Sequence, residues 1–389
     1  MHIAKLNNES LDVALENLLG RKQTDMDWKR VREKIQGKVV MVTGAAGSIG
    51  SELCRQIASF DPLALVGFDQ AETPLFQLEG ELENAFPDLA FHTELGSITQ
   101  FDDVEWAISR YQPSILYHSA AYKHVPMLEK HLFAAINNNI FGTWKVAQSA
   151  VRHGVECFVL ISSDKAVRPS SIMGVTKRVS ELSVRAIEQS CNTKFVSVRF
   201  GNVLGSSGSV IPIFKEQIAA GGPVTVTHPE MQRYFMTSAE ASQLVLQAFV
   251  LGSGGETFVL DMGEPIKILD LARSLIQLSG LEPGREIEIR FSGTRPGEKL
   301  FEEMNFQAEH LAPTAHPRVR SLVSSEDVDA TQFEASLNEL QNAVNARDAK
   351  RSMQLLKEMV PEYNPVPQSL EQATPAQADE PLGYSVADV

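Results

Sequence analysis

The chain has 389 residues, of which 43% are hydrophobic and 22% are charged, and its formal net charge at pH 7 is -14. This length allows a large core and predicts two lobes. The acidic balance argues against nucleic acid as the main partner, because binding a phosphate backbone needs a basic face.

The cysteines and the apolar segments argue against a secreted or membrane protein. Cys54, Cys157 and Cys191 are widely spaced, so they predict buried thiols and form neither a disulfide framework nor a metal motif. No apolar run approaches the roughly 18 residues that a membrane-spanning helix needs, and the N-terminus lacks a signal-peptide pattern. The sequence therefore predicts a cytoplasmic protein with no metal site and no membrane span.

A nucleotide-binding turn is predicted near the start of the chain. Residues 1–37 form a mixed, partly amphipathic segment that predicts a helical lead-in. After them comes the apolar strand Val39–Thr43, then a glycine-rich turn over residues 44–50 and a helical pattern over residues 51–58. Glycines at this spacing let the backbone approach a pyrophosphate, which would lie at the helix N-terminus. The alternative is a tight turn without a ligand.

An acidic residue after the next predicted strand favours NAD. Asp69 follows the apolar residues 63–68, about 20 residues beyond the turn, where a carboxylate can bind the ribose hydroxyls. The same carboxylate would repel the 2′-phosphate of NADP, which makes NADP the less favoured cofactor. Further βα units follow, with strands predicted at residues 90–93 and 114–118.

The central polar cluster follows the apolar strand Cys157–Ile161. Ligands bind at the carboxyl ends of strands in open α/β sheets, so this position predicts a catalytic site. Six residues of segment 162–177 carry candidate chemistry: Ser162, Ser163, Asp164, Lys165, Met173 and Lys177. Neighbouring residues of a strand face opposite ways, so Asp164 and Lys165 can serve one substrate only if the segment has left the strand.

The second half of the chain predicts a smaller lobe. A loop rich in Gly, Ser and Asn follows the strand predicted at residues 194–200, and its Asn202 would lie in a wall for an anionic substrate. Arg233 and Arg295 could bind a diphosphate, Arg295 from a turn that displays its guanidinium. The alternative for both arginines is solvated surface. Helices are predicted at residues 327–344 and 348–359, and a disordered tail from residue 361.

These elements predict an α/β fold with a Rossmann-type doubly wound parallel sheet and a smaller C-terminal substrate-binding lobe. The predicted boundaries are 1–37 for the lead-in, 38–202 for the NAD-binding domain, 203–320 mainly for the substrate lobe, 321–360 for the C-terminal helices and 361–389 for the tail.

Several motifs resemble those of the extended short-chain dehydrogenase/reductases that act on nucleotide sugars. They occur at residues 42–52, 120–126, 163–167, 173–178, 199–212, 233–237 and 295–299. More narrowly, they are similar to the bacterial polysaccharide-biosynthesis branch that includes UDP-N-acetylglucosamine 4,6-dehydratases. The resemblance runs from about residue 18 to residue 304. Met173 stands where the wider superfamily has Tyr, and Ser97 where an Asp usually reaches the adenine; a Met resembles what one dehydratase subgroup carries.

The resemblance implies an NAD-dependent lyase that converts UDP-N-acetylglucosamine to a UDP-4-keto-6-deoxy sugar for surface polysaccharide, and a homo-oligomer. In that reaction NAD+ takes hydride from C4 of the sugar and returns it to C6. The implied catalytic residues are Ser163, Asp164, Lys165, Met173 and Lys177. The implied cofactor contacts are Gly44, Gly47, Ser48, Ile49, Gly50, Asp69, Ser97, Ile98, Ala120, Ala121, Lys123, Asn139 and Lys177. The implied substrate contacts are Ser162, Ser163, Asn202, Arg233 and Arg295.

By the same resemblance, Asp164 is the general acid that protonates the departing C6 hydroxyl, which leaves as water. Lys165 is the base that removes the C5 proton, and Lys177 is the ligand of the nicotinamide ribose. Ser162 or Ser163 would hold a sugar hydroxyl. A lysine base needs a lowered pKa, which we expect from nearby Lys177 and the nicotinium charge. Two alternatives remain open: a nucleotide-sugar 4-epimerase, and an NAD-binding regulator without catalysis.

Overall fold

A nine-stranded sheet forms the centre of the computed structural model, which describes residues 26–304, 310–323 and 328–365. In chain order its strands are β1 Val39–Thr43, β2 Ala64–Asp69, β3 Phe91–Leu95, β4 Ile115–His118, β5 Cys157–Ile161, β6 Lys194–Arg199, β7 Thr257–Leu260, β8 His310–Pro313 and β9 Val319–Val323. Their spatial order is β8-β9-β7-β6-β5-β4-β1-β2-β3. All neighbours from β3 to β7 are parallel, whereas β9 is antiparallel to both β7 and β8.

The predicted Rossmann-type α/β fold is confirmed. The inner strands read as apolar runs because helices cover both faces of a parallel sheet; Val40, Met41 and Val42 of β1, for example, are at most 1% exposed. The strand order reverses between β1 and β4, so the crevice for a ligand opens at the carboxyl ends of these two strands.

The helices alternate with the strands as the sequence predicts. They are α1 Trp28–Ile35, α2 Ser48–Ala58, α3 Glu72–Ala85, α4 Phe101–Tyr111, α5 Val125–Leu128, α6 Leu132–Ala135, α7 Thr143–Arg152, α8 Ile172–Glu188, α9 Val210–Ala219, α10 Ser238–Leu251, α11 Ile268–Leu278, α12 Ala330–Asn345 and α13 Ala349–Met359. A π-helical segment, Ile136–Gly142, joins α6 to α7. Helix α2 begins three residues before the predicted start, inside the glycine turn.

A second, smaller group of elements packs around its own apolar core. Three short strand pairs belong to it or border it: Asn202–Val203 with Phe235–Met236, Gln232–Arg233 with Ile266–Lys267, and Val224–Val226 with Ile289–Phe291. Side chains of α9 and α11, such as Phe214 and Leu271, fill the core together with Val224. The chain then returns to the main sheet through β7, β8 and β9.

The C-terminal helices α12 and α13 pack on α8, the helix that carries Met173 and Lys177. Leu337, Leu340 and Leu356 share one apolar cluster with Val179 of α8. This packing leaves α8 buried on nearly every side. Residues 1–25 of the expected lead-in and residues 366–389 of the expected tail lie outside the described residues. Within the described ranges, no helix is both long enough and apolar enough to cross a membrane.

Candidate active site

A cleft of about 800 Å³ lies between the carboxyl ends of the sheet and the smaller group of elements. It brings together thirteen of the residues implicated by the sequence: Gly47, Ser48, Ile49, Ala121, Lys123, Ser162, Ser163, Lys165, Met173, Lys177, Asn202, Arg233 and Arg295. Eight others do not line it: Gly44, Gly50, Asp69, Ser97, Ile98, Ala120, Asn139 and Asp164. The glycine turn and the central polar cluster therefore face one space.

The glycine turn is built by close backbone contacts. Gly44 has φ +70°, and a Cβ there would lie 2.6 Å from the backbone nitrogen of Ala120. A Cβ on Gly50 would lie 2.0 Å from the carbonyl oxygen of Gly44. Asp69 accepts hydrogen bonds of 2.9 Å from the backbone N–H groups of Ala46 and Ala71. The turn, the N-terminus of α2 and this carboxylate fit a dinucleotide.

Three of the predicted cofactor residues do not line the cleft and contact other parts of the protein. The side-chain amide of Asn139 donates to the carbonyl of Tyr122 and to Oγ1 of Thr176, each at 3.0 Å, so both amide hydrogens are used inside the protein. Ile98 packs against Gly142. The Ser97 backbone N–H donates to Asp103 at 2.9 Å. These residues support the site by holding the surrounding backbone in place.

The central polar segment leaves the strand directly after Ile161. Residues Asp164–Ala166 form a 3₁₀ turn capped by the hydroxyl of Ser163. Lys165 reaches the cleft, and its Nζ donates to Oδ1 of Asp164 and to Oδ1 of Asn202, both at 3.0 Å. Asp164 is fully buried behind it. The other oxygen of Asp164, Oδ2, has no hydrogen-bond partner in the described residues and lies beside Gly201 of the cleft wall.

The pKa of Lys165 shifts in the direction opposite to the one expected from the sequence. Burial disfavours the ammonium form, but the carboxylates of Asp164 and Glu302 outweigh burial, so the pKa of Lys165 lies above its ordinary value. The positive charge of Arg233 lowers the pKa of Lys165, but by less than the carboxylates raise it. The expected lowering of this pKa is therefore wrong for the protein's own groups, because the acidic neighbours dominate.

Lys177 carries the lowered pKa instead. Burial reduces the pKa of Lys177 to about 8, although the carboxylate of Glu181 opposes this shift. Its Nζ donates to the carbonyl of Ile161 at 2.5 Å, at the end of β5. Met173 lies one helical turn earlier on α8 and also lines the cleft, where it is 6% exposed. Lys177 therefore lies at the cleft wall one helical turn after Met173, whose thioether stands where the wider superfamily has the phenol of Tyr.

A buried ion pair lies behind the serines. The hydroxyl of Ser162 donates to Glu181 at 2.5 Å, and Glu181 accepts from Arg199 at 2.7 and 2.8 Å. Arg178 forms ion pairs with both Glu181 and Glu362, the latter near the described end of the chain. Burial opposes ionisation of Glu181, but Arg199 and the other partners lower its pKa to about 2. The sequence interpretation missed this group, because its members are scattered over α8, β6 and the C-terminal segment.

The two arginines occupy different environments. Arg233 is 6% exposed, and its Nη2 lies 3.6 Å from Glu298 and 4.0 Å from Glu302. Arg295 is exposed at the cleft, and the structure gives its guanidinium no ion-pair partner among the described residues. Arg295 is therefore the better placed of the two to receive an anion.

The family is decided by comparison of the sequence with known proteins. Residues 40–324 match the polysaccharide biosynthesis protein family. The chain belongs to this family. The match covers the sheet, the glycine turn, the central polar segment and the smaller group of elements, so every part of the cleft lies within it.

Three bacterial relatives show how far the similarity extends. The probable polysaccharide biosynthesis protein EpsC of Bacillus subtilis is 50% identical over 310 residues, which are 78% of this chain and 52% of EpsC. The capsular polysaccharide biosynthesis protein CapD of Staphylococcus aureus is 49% identical over 299 residues, 76% of this chain and 50% of CapD. The chain thus spans about half the length of both. A UDP-glucose 4-epimerase of Rickettsia canadensis is 34% identical over 274 residues, 69% of this chain and 77% of the epimerase.

Solved structures share the fold of this family member. The Pen protein of Bacillus thuringiensis has a TM-score of 0.68 and 32% identity, over 75% of this chain and 89% of Pen. DesIV of Streptomyces venezuelae, a dTDP-glucose 4,6-dehydratase with NAD and TYD bound, has a TM-score of 0.59 and 20% identity, over 69% of this chain and 87% of DesIV. The likeness to DesIV concerns the fold alone.

Removing one partner of the buried ion pair should destabilise the protein strongly. We expect Arg199→Leu to lower the free energy of unfolding by about 3–5 kcal/mol, because Glu181 would lose its bidentate partner. Urea denaturation at pH 7 measures this loss. Arg285→Leu is the matched control, since Arg285 is largely exposed. An equal, small effect of both substitutions would contradict a structural role for Arg199.

Proposed function

We propose that the protein is a nucleotide-sugar 4,6-dehydratase that converts UDP-N-acetylglucosamine to a UDP-4-keto-6-deoxy sugar for surface polysaccharide. One observation carries the proposal: Lys165 enters the same cleft as Gly47 and Lys177, with Asp164 only 3.0 Å from its Nζ. An elimination needs a base and an acid close together at the sugar. This pair supplies both once a proton has passed from the Lys165 ammonium to the Asp164 carboxylate, 3.0 Å away.

NAD is the proposed cofactor, and its bound form would supply the reversible oxidation of the sugar C4 hydroxyl. The turn around Gly47 and the N-terminus of α2 would hold the pyrophosphate. The carboxylate of Asp69, already fixed by two backbone N–H groups, would face the ribose and disfavour NADP. Lys177 would hold the nicotinamide ribose, and Lys165 would remove the C5 proton of the substrate.

An epimerase is the second candidate, and similarity to the Rickettsia canadensis epimerase favours it. Residue 173 does not separate the two candidates, because both reactions begin with oxidation of the C4 hydroxyl. The thioether of Met173 has no proton to exchange and is only a weak acceptor, so another group has to take the C4 hydroxyl proton in either case. The Asp164–Lys165 pair separates them, because an epimerase has no use for it. A regulator that binds NAD without catalysis would not need the Asp164–Lys165 pair.

Product analysis separates the three candidates. Purified protein incubated with NAD and UDP-N-acetylglucosamine should yield a 4-keto-6-deoxy sugar, recognised in the proton NMR spectrum by a new methyl signal at C6. A UDP-N-acetylgalactosamine spectrum without that methyl signal would instead establish the epimerase. Unchanged substrate, together with measurable NAD binding, would favour the regulator.

Arg295 should bind the substrate diphosphate. A charge-assisted hydrogen bond contributes roughly 1.5–3 kcal/mol, so Arg295→Ala should raise KM for the UDP-sugar roughly ten- to a hundredfold. The affinity for NAD should stay unchanged, because the glycine turn lies elsewhere in the cleft. Arg290→Ala is the control, since Arg290 is exposed, pairs with Glu288 and does not line the cleft. An unaltered KM would assign Arg295 to the solvated surface.

A further inference from the structure

A buried carboxylate lies on the far side of Lys165, and the reaction scheme above does not use it. The side chain of Glu302 is 5% exposed, and its Oε1 lies 4.0 Å from Nζ of Lys165 and 4.0 Å from Nη2 of Arg233. Its Oε2 has no hydrogen-bond partner among the described residues. Burying a carboxylate whose oxygen has no hydrogen-bond partner costs folding free energy, so a neighbouring positive charge has to stabilise the ionised form.

The segment that carries Glu302 forms hydrogen bonds with the smaller group of elements and with the residues that follow Lys165. The carbonyl of Leu300 accepts from the backbone N–H of Gln232 at 3.0 Å and from Nη1 of Arg233 at 3.2 Å. On the other side, Nζ of Lys299 donates to the carbonyl of Val167 at 3.0 Å, just after the turn that bears Lys165. These contacts hold Glu302 at a defined distance from the ammonium group.

The charged groups that act most strongly on this pair, among the described residues, come from several elements. Three groups act on Lys165: Asp164, which belongs to the same turn, Glu302, which belongs to the segment after Arg295, and Arg233, which belongs to a strand of the smaller group. Glu302 faces Lys165, Asp164, Arg233 and Lys299. Two carboxylates thus act on Lys165 against one guanidinium. Burial raises the pKa of Glu302, and the cations around it oppose that shift.

We propose that Glu302 is a positioning residue that holds the ammonium group of Lys165 between two carboxylates and thereby sets the pH at which Lys165 becomes a neutral base. The assignment of Lys165 as the base rests on the proposed function. The electrostatic part of the proposal concerns the protein alone. A lysine base acts in its neutral form, so the rate should rise with pH through the pKa of Lys165. Loss of the Glu302 charge should move that rise to lower pH.

The test follows the titration of Lys165 directly in the 389-residue chain. Protein with ¹³C at the lysine Cε atoms is titrated by NMR, and the Lys165 signal is assigned by its loss in Lys165→Arg. In Glu302→Gln the midpoint should fall by roughly one pH unit or more, the usual effect of an opposite charge at this distance. Glu303→Gln is the matched control, because Glu303 is more exposed and pairs with Arg168.

A second variant separates charge from structure. Glu302→Asp keeps the carboxylate but withdraws it by one methylene, so its midpoint should fall between those of the wild type and Glu302→Gln. Should Glu302→Gln fail to fold, a lowered midpoint in Glu302→Asp supports the proposal. A wild-type midpoint in every folded Glu302 variant would overturn it. The titration needs no turnover, so this result is independent of whether the dehydratase assignment survives product analysis.

Exchange of the substrate C5 proton with deuterated solvent gives the second readout. Its pH profile should shift to lower pH in Glu302→Gln by the same amount as the Lys165 midpoint, and stay in place in Glu303→Gln. A lower rate at all pH values without a shift would assign Glu302 a purely structural role.

Discussion

Replacing Lys165 by alanine, or Asp164 by asparagine, should lower turnover roughly 10²–10⁴-fold, the usual cost of removing a positioned acid or base. Both variants should still fold and bind NAD, because neither residue belongs to the glycine turn. In Lys165→Ala, exchange of the substrate C5 proton with deuterated solvent should fall together with turnover, since Lys165 would remove that proton. Product formation and deuterium uptake are both followed by NMR.

The competing view is that Lys165 only orients the cofactor while Tyr122 or Lys123 acts at C5. Both side chains line the cleft, and burial lowers the pKa of Lys123, so the alternative is chemically sound. Tyr122→Phe and Lys123→Ala are therefore the informative comparisons. Solvent deuterium that still enters C5 in Lys165→Ala, but not in one of these two variants, would contradict the assignment of the base.

The second large effect concerns the cofactor. Gly47→Leu should weaken NAD binding roughly a hundredfold or more, because a side chain in the cleft would displace the pyrophosphate and forfeit charge-assisted hydrogen bonds of about 1.5–3 kcal/mol each. The fold should survive, because Gly47 has an ordinary negative φ. A Cβ at this position would have the Gly44 carbonyl oxygen as its nearest neighbour, at 3.2 Å. Calorimetry measures the affinity, and thermal unfolding measures the fold.

Gly50→Ala provides the contrast within the same turn. Its Cβ would clash with the Gly44 carbonyl, so the protein itself should lose about 1–3 kcal/mol of stability. Cofactor binding would then fall as a consequence of a distorted turn. Unchanged NAD affinity in a folded Gly47→Leu variant would show that the pyrophosphate does not lie at this turn.

Local patterns in the sequence were sufficient to predict most of the main sheet and its helices. Apolar runs of strand length mark β1 and β5, and the helix predicted at residues 348–359 is observed as α13, Ala349–Met359. The departure of Asp164 and Lys165 from the strand also followed from chemistry, since alternating side chains could not serve one substrate. These inferences depend on residues that are neighbours in the chain.

Interactions between distant segments could not be predicted in this way. Glu181 and Arg199 lie on a helix and a strand with no local signal that they pair. Glu302 lies far along the chain from Lys165, and together with Asp164 it reverses the expected direction of the Lys165 pKa shift. The hydrogen bonds between Asn139 and the backbone of Tyr122 likewise join residues 17 positions apart, and no local pattern predicts them.

The most direct test of the dehydratase proposal follows one atom of the substrate. UDP-N-acetylglucosamine with deuterium at C4 is incubated with the protein and NAD, and the label is located by NMR. A 4,6-dehydratase moves the C4 hydrogen to C6, so deuterium should be recovered in the new methyl group of a 4-keto product. Deuterium that remains at C4 of an epimerised sugar would contradict the proposal and establish the epimerase instead.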